Sequence, residues 1–187
     1  MKGEKIKPKK GHLLISEPFL HDPFFKRSVI LVTEHNEEGS VGFILNKPIN
    51  IKLHDALEEF PEFDGNLFMG GPVQRDSLYY IHSKGNIIGN SRKIMDGVYW
   101  GGDFETIKIM IQNKEIEESE LRFFMGYSGW GKEQLDTELA NNSWVVLPAK
   151  GNHVMQTDPN KLWAQIIKNI GSEYAFLANF PEQPSMN

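Results

Sequence analysis

Two rhythms of apolar and polar positions run along this chain. Short runs rich in β-branched and aromatic residues, cut by Gly, Pro, Asn and Asp, predict strands; a few windows with a period near 3.6 predict helices. Residues 12–16 are expected to form a first strand ended by Pro18. Asp22-Pro23 marks a turn, because proline drives the preceding residue away from helix. Residues 28–35 (SVILVTEH) are apolar enough for a strand buried on both faces, and residues 40–46 return after the turn chemistry of Asn36-Glu37-Glu38-Gly39. That pairing predicts an antiparallel hairpin closed by Pro48. Further strands are expected at residues 66–69, 78–82, 98–100 and 144–147. Helical spacing appears at residues 53–60, stopped by Pro61, at 104–113 behind Asp103 as N-cap, and at 132–140. It recurs after Asp158-Pro159, where Leu162, Trp163, Ile166, Ile167 and Ile170 form one apolar face ended by Gly171. No strand–helix–strand unit repeats, so the class is α+β with mostly antiparallel or mixed pairing, not a doubly wound parallel sheet.

Composition narrows this picture. A chain of 187 residues with 40% hydrophobic content, 12 Phe and 4 Trp can bury a full core in one domain. That domain is expected over residues 11–180, between a lysine-rich flexible N-terminus at 1–10 and a loose tail at 181–187. The absence of cysteine excludes disulfides, thiolate metal sites and cysteine nucleophiles. The net charge is −5, yet the first ten residues hold five Lys against Glu4, so they carry +4 and the remainder −9. An acidic body repels phosphate backbones and argues against direct nucleic-acid binding. Neither a signal-peptide pattern nor an apolar run approaching the roughly 18 residues that span a bilayer is present, so a cytoplasmic location without membrane contact is expected.

Two groups of residues carry candidate chemistry. In the first, an apolar run enters Gly126, Gly129 and Gly131 and a helix-like run leaves them. A turn of that kind between strand and helix presents backbone N–H groups to an anion. It is not a phosphate-binding P-loop, since Lys132 is followed by Glu133, nor a dinucleotide fingerprint, since the glycine spacing is reversed. Ser128 in Gly-Tyr-Ser-Gly-Trp lacks the glycine two places on that a nucleophile elbow requires. Tyr127, Trp130 and Gln134 complete the candidate ligand-binding set if they face one cleft; otherwise the glycines simply permit a tight turn. Gln134, Glu138 and Asn142 fall on one helical stripe, which lines a cleft or satisfies buried groups. The second group, Arg27, Glu34, His35 and Asn46, lies near the hairpin. Arg27 with Glu34 suits an ion pair and Glu34 with His35 an acid–base pair, while a turn-bracing role explains the same letters. The six histidines show no metal-ligand spacing and the acidic residues no calcium loop, so no metal or other cofactor is expected.

The ordered set GHLLISEP (11–18), DPFFKRSV (22–29), Glu34-His35, Gly39, Gly42, Asn46-Lys47-Pro48, GGPV (70–73) and GYSGWG (126–131), continued by Gln134-Leu135, Glu138-Leu139 and Asn142-Ser143-Trp144, resembles the YqgE/AlgH family of bacterial proteins. The resemblance implies an α+β fold whose bent, partly bifurcated sheet closes into a small barrel flanked by helices. It implies no established activity, cofactor or catalytic residue; one branch of the family is named for a proposed regulatory effect on alginate production. Three functions follow as expectations. The first is a non-catalytic domain binding a small anionic ligand or a protein partner near Gly126 and Gly131. The second is a hydrolase using Glu34 and His35, or Ser128. The third is a transcriptional regulator, although no helix-turn-helix with a basic recognition helix is present. Oligomeric state is not legible.

Overall fold

The computed structural model describes residues 6–171. The predicted tail at 181–187 and the first five residues of the lysine-rich N-terminus lie outside these. Among the described residues the elements run β1 (His12–Ser16), β2 (Val29–Asn36), β3 (Gly39–Ile44), β4 (Pro48–Ile49), α1 (Leu53–Ala56), β5 (Leu67–Met69), β6 (Val73–His82), β7 (Arg92–Met95) and β8 (Val98–Trp100). They continue with α2 (Phe104–Gln112), β9 (Leu121–Gly131), α3 (Gln134–Ala140), β10 (Trp144–Pro148), α4 (Gly151–Met155) and α5 (Pro159–Ile170).

β9 is the spine of the sheet. The strand order is β10-β1-β2-β3-β9-β6-β8-β7, with β4 and β5 off this path. One edge of β9 is divided: β3 pairs antiparallel along Ser128 to Gly131, and β5 pairs parallel along Phe123 to Met125. β6 takes the other edge, antiparallel. The fold is therefore mixed α+β with a large, mainly antiparallel sheet, forked at β9.

The expected barrel does not close. Among the described residues β7 and β10 end the path and do not pair with each other. β7 does approach the β1–β2 end, where Arg92 Nη1 lies 2.8 Å from Glu34 Oε1. These are side-chain contacts, with no backbone ladder between the strands, and closure of a sheet needs that ladder.

Because successive strand residues point to opposite faces, β1 and β2 each feed two cores. Leu13, Ile15 and Leu31 pack with Phe43, Phe124 and the apolar face of α5. Leu14, Ile30 and Val32 pack on the other side with Trp130, Leu135 and Trp144. A third cluster joins α2, through Ile107, Met110 and Ile111, to Leu67, Leu121 and Phe123. The caps of α2 and α5 are as the sequence predicts: Asp103 accepts from Glu105 N–H and Asp158 from Asn160 N–H. The helix expected at 53–60 stops after one turn, since Leu57 is extended and Glu59 takes a positive φ of 57° on the way to Pro61.

Candidate functional site

The glycines of the first group lie inside β9, which corrects the expected strand-to-helix turn. The strand runs unbroken through Gly131, and the turn into α3 is made by Lys132 and Glu133, the latter at φ 60°. Of the three, Gly126 serves close backbone approach. Gly126 has φ 67°, at the point where β6 slips register against β9, and a Cβ there would lie 2.6 Å from the Val73 carbonyl oxygen. At Gly70, just after β5, a Cβ would lie 2.2 Å from the Gly126 carbonyl oxygen. The Gly-Gly-Pro and Gly-Tyr-Ser-Gly segments are thus two sides of one contact.

Tyr127 and Trp130 do not flank a common cleft. An odd spacing along an extended strand sends them to opposite faces: Tyr127 packs beside Phe43 and Phe124, Trp130 beside Leu135 and Trp144. Ser128 is fully buried and its hydroxyl donates to the Gly70 carbonyl at 3.0 Å. The polar stripe of α3 is a brace. Glu138 Oε2 accepts from both Trp130 Nε1 (2.9 Å) and Trp144 Nε1 (2.7 Å). Its Oε1 accepts from Gln134 Nε2, and Gln134 Oε1 accepts from Gly131 N–H.

The second group divides as well. Glu34 pairs with Arg92 and not with Arg27; His35 Nδ1 lies 2.8 Å from Ser40 Oγ. Adjacent residues on a strand diverge, and Glu34 and His35 form no acid–base pair. Arg27 and Asn46, by contrast, meet. Asn46 donates to the Arg27 carbonyl and accepts from Val29 N–H, both at 2.8 Å, and this holds Arg27 at φ 52°. The Arg27 guanidinium stands 5.1 Å above the Trp163 ring, whose indole donates to the Ser16 carbonyl. Arg27, Asn46, Trp163, Ala164 and the first turn of α5, Pro159 and Asn160, line a cleft of about 260 Å³.

Sequence reasoning also missed a buried cation, Arg122 of β9. It is 6% exposed. Nη1 donates to the carbonyl of Leu45, next to Asn46, and Nη2 to the carbonyls of Met155 and Thr157, leading into α5. Its guanidinium also lies 5.0 Å over the Phe68 ring. No carboxylate among the described residues pairs with it. Burial lowers its pKa to about 10, so it remains charged at neutral pH. An arginine in an apolar run (LRFFM) was the available signal.

A buried histidine was also missed. His82 Nδ1 accepts from Lys84 N–H at 3.1 Å, which leaves the proton on Nε2 to bond the Gly101 carbonyl at 2.9 Å. Burial lowers its pKa, the Gly101 bond acting in the opposite sense. Ser91 Oγ lies 3.1 Å from Nε2 but donates to the Ile88 carbonyl, so the two do not form a nucleophile and base. A wider cleft of about 630 Å³ opens between Lys84, Asp96, Lys114, Glu117 and Glu120; Lys84 and Glu120 are paired within it at 2.7 Å.

A forked, mainly antiparallel sheet flanked by helices defines a mixed α+β domain. Residues 13–175 match the family model described as DUF179, AlgH-like, and the chain belongs to that family. A UPF0301 protein of Chlorobaculum tepidum is 43% identical over 184 residues, covering 98% of this chain and 97% of its own length. A UPF0301 protein of Bacteroides fragilis is 40% identical over 188 residues, covering 100% and 95%. In fold, the chain is similar to the AlgH protein of Pseudomonas aeruginosa (TM-score 0.73, 24% identity, covering 97% and 100%). It is also similar to protein DIP2367 of Corynebacterium diphtheriae (TM-score 0.76, 24% identity, 95% of each chain). No helix among the described residues is long and apolar enough to cross a membrane.

Proposed function

We propose that this protein is a non-catalytic, cytoplasmic ligand-sensing domain that binds a small anion in the Arg27–Asn46–α5 cleft. The observation that carries this reading is that Arg27, Asn46 and the first turn of α5 line one concavity of an acidic protein. Guanidinium groups and oriented amides complement carboxylate and phosphate oxygens. At about 260 Å³ the cleft is smaller than the roughly 300–1,000 Å³ of sites that enclose drug-sized ligands, so its ligand is a small metabolite or a single anionic group. The hydrolase alternative loses support from the engagement of Ser128 with Gly70 and of Glu34 with Arg92.

Proton–nitrogen correlation spectra recorded against a panel of small phosphates and carboxylates test the proposal. Shifts confined to the Asn46 side chain, the Asn160 amide and the Trp163 indole are expected. Shifts that cluster instead at Gly129 to Gln134, or no shifts with any anion, would overturn it.

A further inference from the structure

The chain twice runs a short apolar segment into two glycines, at Met69-Gly70-Gly71 and at Trp100-Gly101-Gly102. The fold treats the two pairs differently. A Cβ on Gly70 would lie 2.2 Å from the Gly126 carbonyl oxygen, and one on Gly71 2.2 Å from the Tyr127 backbone, so the chain itself fills that space. A Cβ on Gly101 would meet nothing within 4 Å. Gly101 and Gly102 border a cavity of about 380 Å³ whose other lining residues are Asn90, Arg92 and Trp100. That volume falls within the roughly 300–1,000 Å³ of small-molecule sites.

We propose that this cavity, independently of the Arg27 cleft, binds an uncharged purine nucleoside through the adenine edge of its base. The Arg92 guanidinium lies over the Trp100 ring, 5.5 Å from its centroid, and Trp100 is held edge-on to Phe43 at 5.8 Å. The Arg92 side chain is 71% exposed, which leaves the stack open to a further planar group. Bases stack on both indole and guanidinium planes. The charge of Arg92 is already met, because Glu34 Oε1 lies 2.8 Å from its Nη1, and this favours a neutral ligand over a phosphate. Asp103, next to Gly102, is engaged too, accepting from Glu105 N–H and the Thr106 hydroxyl. Asn90, at φ 60°, lines the same cavity, and among the described residues nothing hydrogen-bonds its side-chain amide. A carboxamide matches the adenine N6–N7 edge, its oxygen accepting from the amino group and its nitrogen donating to N7. At Gly101 and Gly102 no side chain keeps a ring from the backbone. The net charge of −5 repels a polyanionic strand, so the ligand is a free nucleoside and not a nucleic acid.

The experiment titrates the full chain near neutral pH with adenosine, inosine, adenosine monophosphate and ribose, reading the Trp100 indole and Asn90 side-chain resonances and the ring-current shifts of the base protons. Adenosine is expected to bind saturably. Inosine, which presents an acceptor where adenine presents a donor, should bind about tenfold more weakly. The monophosphate should bind no more tightly than adenosine, and ribose should give no shifts. Two variants locate the site. Trp100→Leu removes the stacking ring, and Gly101→Asn occupies the open space at a φ of 66° that asparagine adopts, so the fold is retained. Each should weaken adenosine binding at least tenfold. No response to adenosine, an equal response to inosine or ribose, a tenfold preference for the monophosphate, or undiminished binding in a folded Gly101→Asn would each overturn the proposal.

Discussion

Glu138 holds two tryptophans with one carboxylate oxygen, and its removal leaves both indole N–H groups without that acceptor. A lost partner for a buried donor costs about 1–3 kcal/mol, so Glu138→Ala should destabilise by roughly 2–4 kcal/mol in urea denaturation, and Glu138→Gln by much less. Gly126 is constrained in another way. Its positive φ and the Val73 carbonyl 2.6 Å from any Cβ make Gly126→Ala costly, by about 2–3 kcal/mol on the same measurement. His82 gives a pH dependence with a definite sign. Its folded pKa lies below the ordinary 6.5, so the unfolded chain takes up the proton first. The stability it contributes is complete above pH 6.5 and is lost as pH falls from there towards the lowered folded value. Chemical denaturation between pH 8 and 5 should show that decline, and His82→Gln should flatten it; an identical slope in the variant would refute the assignment. At this scale the sequence was least informative. Nothing in the letters says that Ser128 turns inward to Gly70, or that Glu34 finds Arg92 58 residues away. Such partners are fixed by sheet register, which is set by long-range pairing.

At the scale of elements the sequence spoke more clearly. β1, β2, β3 and α5 follow from their apolar periods and from the Asp158-Pro159 start, because local patterning alone dictates them. β7 did not declare itself: Arg92-Lys93-Ile94-Met95 has one buried residue and acts as a short edge. The glycine segment misled for a physical reason. Gly126, Gly129 and Gly131 look like a turn, but all three lie inside β9, and at Gly126 the space a Cβ would need is taken by the backbone of Gly71 and Val73. Trp130 and Tyr127 fall on opposite faces and pack against different clusters. The cap of α5 matters to the cleft beside it. Asp158→Ala removes the bond to Asn160 N–H and should cost about 1 kcal/mol by thermal or urea unfolding.

The described residues form a forked sheet whose ends approach but do not join, held together by β9 and by three separate cores. Of the candidate site, Arg27 and Asn46 were legible, since polar residues flanking the hairpin strands must settle near the strand ends. Their true companions on α5 lie more than a hundred residues away, beyond the reach of local pattern. The net charge of −5 still argues against DNA as a partner, and a mobility assay at low salt should show no retardation. The central claim is the small-anion cleft, and titration of the Trp163 indole and Asn46 side-chain resonances with inorganic phosphate, in the native chain and in Arg27→Gln side by side, tests it most directly. Saturable shifts in the native chain that are weakened at least tenfold in Arg27→Gln are the predicted result; shifts of equal midpoint in both chains, or none in either, would contradict it.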